Sequence, residues 1–415
     1  MPLTVRIGFY LAVRALRRAS LWTTGLIIFV MVLTFLNLVV VSGILVGLIE
    51  GSVNDNRFHY TSDVILMKLD NKSYIEHSAD IISIVKSLPQ VAIYSARYTS
   101  PATFEANYKT RKDTDKANIN SSVLQGINPS AENTVTELKK YIVEGSYLQS
   151  NDYDQILLGS LLIKRYQSFD IPGFEGLRDI APGTKIRIKV GDVTREVTVK
   201  GILKSKVDQI NQGAYMVDTQ MRSLIGRSDL NVGEIAIQLK PGADPIEVKN
   251  ALLVRGVDQH SKVQTYEDAQ PKFLKDIKAT FALLGNMFSS IGLIVASITI
   301  FIVIFINAIT RRKYIGILKG IGIHGRAIEY SYMFQSAFYA LLGSGIGLFL
   351  VYMVLVPLFA AHPIDFPFSD GILVAPIQTT LFRVVLLVCT TLIAGYIPAW
   401  MIIRKNTLDS ILGRN

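Results

Sequence analysis

The sequence predicts an α-helical membrane protein: four transmembrane helices, with a large extracytoplasmic α+β domain inserted between the first and second. Three observations predict it. Half of the 415 residues are hydrophobic and only 18% are charged, too apolar for a soluble chain of this length. Four stretches lack Asp, Glu, Lys and Arg altogether: Leu21–Ile49, Ala279–Thr310, Tyr330–Ala361 and Val384–Ile403. Each reaches the roughly 20 residues that a bilayer crossing needs. Between the first two, from 50 to 278, the pattern changes to short alternating and helical segments with frequent turn residues.

Residues 1–20 place Val5, Phe9, Val13 and Leu16 at helical spacing ahead of Arg17 and Arg18. This reads as a cytoplasmic amphipathic helix attracted to anionic lipid, or as a basic flank that only orients the first span. The first span, 21–49, is too long for the apolar region of a signal peptide. Its Gly43 and Gly47 stand in GxxxG spacing, as do Gly343 and Gly347 of the third span, and both pairs are expected to pack against helices.

In the domain from 50 to 278, Lys185–Val190 and Val193–Ile202 alternate at period two around Gly191-Asp192, which predicts a β-hairpin. Val64–Leu69, Gln155–Gly159 and Glu234–Leu239 read as further strands and Ile81–Leu88 as a helix. Asp244-Pro245-Ile246-Glu247 supplies an N-cap, an N1 proline and an N3 glutamate for a helix through Leu253. Asp208–Tyr215 and Ser168–Gly183 read as exposed excursions. His59, His77 and His260 are dispersed along the chain, and neither HExxH nor GxSxG occurs. No enzymatic site, bound cofactor or metal is expected. The stretch from Thr265 is expected to start a stalk helix that runs into the second span, 279–310.

The remaining segments are a basic loop at 311–329, a third span at 330–361, a loop at 362–380, a fourth span at 381–403 with Arg383 at its edge, and a tail at 404–415. Cys389, the sole cysteine, lies in the fourth span, so no intrachain disulfide exists. The N-terminal tail, the 311–329 loop and the C-terminal tail carry 12 basic residues against Glu329 and Asp409, a net of +10 that equals the charge of the whole chain. The positive-inside rule puts this side and both termini in the cytoplasm and the large domain outside. Because the basic excess is spread over three short membrane flanks, nucleic acid is not an expected partner.

The order of these elements, with RRKYIGILKGIGIHGRAIEYSYMFQSAFYALLGSGIGLFL from Arg311, resembles the MacB/FtsX/LolC-LolE superfamily of ABC transporter permeases. Arg311, Ile315, Gly316, Leu318, Ile321 and Gly322 are similar to the family's coupling segment. Leu124–Ser130, Ile156–Gly159 and Val199–Leu203 resemble phrases of its outer domain, and Tyr396–Ala399 its closing signature. Tyr314, Gln335 and Thr407 depart from it where an acid, a glutamate and a proline are usual.

The resemblance implies a mechanotransmitting permease of the cytoplasmic membrane that pairs with a second permease subunit, identical or different, and with a cytoplasmic ABC ATPase. ATP and Mg²⁺ would bind that ATPase, since this chain has no GxxxxGK[ST]. The expected ATPase contact is Ile315, Gly316, Ile317, Leu318, Gly320, Ile321, Gly322 and Ile323. Expected cargoes are lipoproteins, as in LolC/LolE, or lipids or peptides for extraction or export. A MacB-like efflux component and an FtsX-like regulator of an envelope hydrolase are the alternatives.

Overall fold

The computed structural model describes residues 3–112, 116–167, 175–366 and 369–404. In chain order, α1 (Leu3–Arg17) precedes α2, a continuous helix from Leu21 to Thr61 with π turns at Asn37–Val41 and Arg57–Thr61. A globular domain follows: β1 (Val64–Lys68), α3 (Ser78–Ser87), β2 (Val91–Ala106), β3 (Asn118–Ile127), α4 (Pro129–Thr136), β4 (Ile142–Gly145), β5 (Gln155–Gly159), β6 (Lys185–Val190), β7 (Val193–Leu203), α5 (Asp208–Gln212), β8 (Ala214–Val217), α6 (Asp218–Leu224), β9 (Glu234–Leu239), α7 (Pro245–Val254) and β10 (Ser261–Thr265). Then come α8 (Lys272–Thr310), α9 (Arg312–Gly320), α10 (Gly325–Ala361), the strand pair β11 (Ile364–Phe366) and β12 (Ser369–Gly371), and α11 (Ile377–Ile403). Among the described residues, α2, α8, α10 and α11 are the helices long and apolar enough to cross a membrane.

The chain forms two compact units: the helices, and Glu50–Lys272 with Phe366 and Ser369. In the globular unit, β10, β1, β9 and β2 make an antiparallel sheet. The long strand β2 continues into a second arrangement. Its later residues pair with β3, β3 runs parallel to β8, β8 pairs with β5, β5 runs parallel to β7, and β6 pairs with both β7 and β2. These six strands close a ring, which leaves none of them with two free edges. The expected hairpin is β6–β7, with Val190 opposite Val193, and Asp244 caps α7 by accepting from Ile246 N at 2.9 Å.

The excursion expected at Asp208–Tyr215 is instead α5 and β8, with Ile210 and Tyr215 in the core. Its Asn211 is satisfied internally: Asn211 Nδ2 donates to Ser205 O at 2.7 Å, and Asn211 Oδ1 accepts from Ser205 N at 2.8 Å. In the other expected excursion, 168–174 lie outside the described residues, while Leu177 and Ile180 are buried and Leu177 bridges Ile163. His77 and His260, dispersed in sequence, lie with ring centroids 4.8 Å apart. Among the described residues, no group of three His, Cys, Asp or Glu is placed to hold a metal ion.

In the helical unit the glycine pairs have different partners. A Cβ on Gly343 would stand 2.4 Å from Met31 Cβ, and one on Gly347 2.3 Å from Phe35 Cδ1, so this pair seats α10 on α2. Gly43 and Gly47 do not meet a helix. They face the extended backbone at 372–374, where Val374 N donates to Gly43 O at 3.2 Å. A side chain at Gly47 would collide with Ile372 O, so the glycine admits a strand-like segment against the helix.

Helix α1 packs on α10 through Gly8 and Ala12, while Phe9, in the stripe expected to face the membrane interface, is exposed. Small residues win that face because a Cβ on Gly8 would lie 2.7 Å from Tyr330 Cβ, a spacing that only a bare backbone permits. Arg383 donates to Ser42 Oγ at 2.6 Å.

Candidate functional site

Helix α9 carries the expected contact residues, and its two faces differ. Ile315 is 3% and Leu318 8% exposed, both within the apolar core of the helical unit, and Gly316 is buried with them. Ile317 is 52% and Ile321 70% exposed, and Tyr314 joins them on the same helical stripe. Of the eight residues, then, Ile315, Gly316 and Leu318 face inward, while Ile317, Gly320, Ile321 and Gly322 face outward and Ile323 is half-buried.

Gly322 also shapes the end of the helix. Its φ of +94° ends α9, with Gly322 N donating to Lys319 O and Ile323 N to Leu318 O, each at 3.0 Å. That is the Schellman arrangement, in which a left-handed residue satisfies the last helical carbonyls. Its apolar contact is made by Leu318 and Ile323, both packed in the same core. Lys319 Nζ donates to Ile403 O at 2.7 Å and so ties α9 to the end of α11.

In the globular unit, the chain arrives through β1 and leaves through β10, and these two strands are paired, Val64 opposite Thr265. Arg57, in the last turn of α2, donates to Asp63 Oδ1 at 2.8 Å through Nε and stacks over the Tyr266 ring, 4.3 Å from its centroid. Tyr266 N donates to Asp63 O at 3.1 Å. Beyond this, Asp268 Oδ2 accepts from Thr265 N, Thr265 Oγ1 and Lys249 Nζ. The Lys249 bond is the largest influence on this carboxyl and, against some desolvation and with help from Thr265, holds it down at about 2.

A buried ionic network fixes the end of α2 to the sheet. Arg97 of β2, 0% exposed, donates to Glu132 of α4 through Nε (3.0 Å) and Nη2 (2.8 Å), to Glu234 of β9 through Nη1 (3.3 Å), and to Tyr60 O through Nη2 (2.7 Å). Tyr60 OH donates to Glu234 Oε2 at 3.2 Å, and Ser95 and Thr136 hydroxyls donate to Glu132. Burial works to lower the Arg97 guanidinium, but Glu132, Tyr60 and Glu234 outweigh it and hold its pKa above the usual arginine value. Sequence reasoning passed over this network, although a lone arginine in the largely apolar stretch Val91–Tyr98 is itself a signal, because a charged residue buried in a strand must be paired.

Membrane-length helices interrupted by a mixed α/β domain define the class: a polytopic membrane protein. Residues 23–253 match the profile described as the MacB-like periplasmic core domain, and residues 286–407 match the FtsX-like permease C-terminal profile. The chain belongs to the MacB/FtsX/LolC family of ABC transporter permeases.

It is 25% identical over 279 residues to an uncharacterized ABC transporter permease of Methanocaldococcus jannaschii, a match covering 66% of this chain and 65% of that one. The chain thus spans about two thirds of the length of the curated relative it matches. Among solved structures it is similar to the periplasmic region of MacB from Actinobacillus actinomycetemcomitans (TM-score 0.35, 11% identity, 51% of this chain and 92% of that one). It is also similar to the extracellular domain of the noncanonic ABC-type transporter YknZ from Gram-positive bacteria (TM-score 0.32, 18% identity, 49% and 97%).

Proposed function

We propose that this chain is a mechanical relay: it couples ATP hydrolysis by a separate ABC ATPase, which holds the ATP and Mg²⁺, to a change of shape in the globular domain. The termini and α9 lie in the cytoplasm, as the clustering of basic residues supports, and the globular domain lies outside. The exposed stripe Tyr314, Ile317 and Ile321 receives the ATPase, and a second permease subunit completes the complex.

The observation that carries this reading is the pairing of β1 with β10. Both membrane-length helices that reach the domain enter adjacent antiparallel strands. Displacement of α2 relative to α8 would then load this one strand pair, reached on the α8 side through the turns at 266–271, where the helix expected from Thr265 begins only at Lys272 and Asp268 Oδ2 accepts from Thr265 N at 3.1 Å. No charged residue interrupts the apolar stretches of the spans, which favours action on an amphiphile at the outer leaflet, such as a lipoprotein, lipid or lipidated peptide, over passage of a polar solute through the bundle.

The test is co-purification of the tagged full chain from its native membrane in mild detergent, with mass spectrometry of any ABC ATPase retained. Wild type is expected to retain the ATPase stoichiometrically, and the Ile317→Asp/Ile321→Asp variant to lose it while inserting and melting like wild type. Absence of an ATPase from the wild-type preparation, or full retention by the variant, overturns the reading.

A further inference from the structure

Between α1, the end of α8, the start of α9 and the first turns of α10, the helical unit contains a pocket whose chemistry differs from the apolar packing around it. Arg14, Arg18 and Arg311 line it, and Ser331, Tyr332 and Gln335 of α10 form its buried polar floor. Gln335 Nε2 donates back to Ser331 O at 3.2 Å, within the same helix. Among the described residues, none of the three arginines forms an ion pair. Arg14 and Arg18 are exposed and Arg311 is half-buried, and with three arginines and no carboxylate in its lining the pocket offers an external anion cationic donors without a competing acid.

The level of the pocket selects the anion. Arg18 stands three residues before Leu21, where one charge-free stretch begins, and Arg311 directly follows Thr310, where another ends. Both mark the boundary between hydrocarbon and headgroup, where basic pockets between helices meet lipid phosphates.

We propose that this pocket is a binding site for the phosphate of an anionic glycerophospholipid, with Arg14, Arg18 and Arg311 as its cationic ligands and the Ser331–Gln335 floor as its polar base. The lipid bridges α1 to the α8–α9 junction, so the charge of the surrounding leaflet bears on the segment that carries α9. This goes beyond the ATPase relay and stands whether or not an ATPase binds.

The test is native mass spectrometry of the purified full chain exchanged into detergent containing equal amounts of phosphatidylglycerol and phosphatidylcholine. Wild type is expected to retain phosphatidylglycerol over phosphatidylcholine by about tenfold or more. The Arg14→Gln/Arg18→Gln/Arg311→Gln variant is expected to lose that preference, the corresponding triple Lys variant to keep most of it, and Arg6→Gln, on α1 but outside the pocket, to match wild type. If the triple Gln variant does not fold, Arg311→Gln alone decides, with a several-fold loss expected. Undiminished preference in the Gln variant, or equal loss in Arg6→Gln, overturns the site. Displacement of the lipid by millimolar inorganic phosphate overturns the lipid as its occupant and leaves a soluble anion.

Discussion

Replacing Arg97 with Leu tests how α2 is held to the globular domain. The substitution leaves Glu132 and Glu234 buried beside each other without the cation that contacts both, and it takes away the donor to Tyr60 O. Removing one partner of a buried ion pair costs about 3–5 kcal/mol, chiefly because the remaining charge keeps its desolvation penalty. At 1.4 kcal/mol per tenfold, that is a fall of about 100- to 4,000-fold in the folded-to-open ratio. Hydrogen exchange on the full chain reads this directly at the slowest amides of β2 and β9, whose opening reports the stability of the sheet. Lys262→Ala, which breaks the exposed pair with Asp70, is the comparison and should cost less than about 1 kcal/mol. Exchanging Arg97, Glu132 and Glu234 together for leucines should recover much of the loss, since a buried ionic cluster gains little over apolar packing. A loss below about tenfold for Arg97→Leu would show that water reaches the carboxylates and would refute the argument from burial.

Gly343→Ala should destabilise the helical unit by about 1–3 kcal/mol through overpacking against Met31. Gly345→Ala, with nothing within 4 Å of its added methyl, should be neutral or slightly stabilising; thermal unfolding in detergent with equal losses would count against the α2–α10 seat. Asp268 sits at about 2 in the folded protein against an ordinary 3.8. Its contribution is therefore complete above about pH 4 and is lost as pH falls from 3.8 towards 2, and hydrogen exchange at 265–270 should show this loss in wild type but not in Asp268→Asn. The partial exposure of this carboxyl limits the effect to less than about 1 kcal/mol. Ile315→Asp should lower the melting temperature sharply by burying an unpaired charge, whereas Ile317→Asp should leave it unchanged; equal effects would refute the two-faced description of α9.

The parts of the fold legible in the sequence are those set by local chemistry. Charge-free stretches mark the spans because no buried partner is needed to recognise them, and Lys185–Val190 with Val193–Ile202 announces a hairpin because both strands and their turn are contiguous. Contacts between distant segments were not legible. Nothing local says that β6 also pairs with β2, or that β3 and β5 run parallel to β8 and β7. Asp208–Tyr215 looked exposed because Asp208, Gln209, Asn211 and Gln212 are polar, yet Asn211 is satisfied by Ser205. The two GxxxG pairs are alike in sequence, and only their surroundings distinguish a glycine facing a helix from one facing an extended backbone.

Helix α9 illustrates the same limit at the candidate site. Apolar residues at 315, 317, 318 and 321 mark a segment that needs partners, but periodicity alone does not divide them between two partners. The structure makes the division: Ile315 and Leu318 belong to the chain's own core, and Ile317 and Ile321 remain outside it. This changes how the segment would work under the proposed function. A loose loop would yield when pushed, because backbone torsions absorb displacement at little energetic cost. Here the helix is stopped by Gly322, pinned through Lys319 to the end of α11 and anchored by two buried side chains. A force on its exposed stripe must therefore move the packed helices behind it or break their contacts, and close-packed interiors shift between discrete arrangements more readily than they compress.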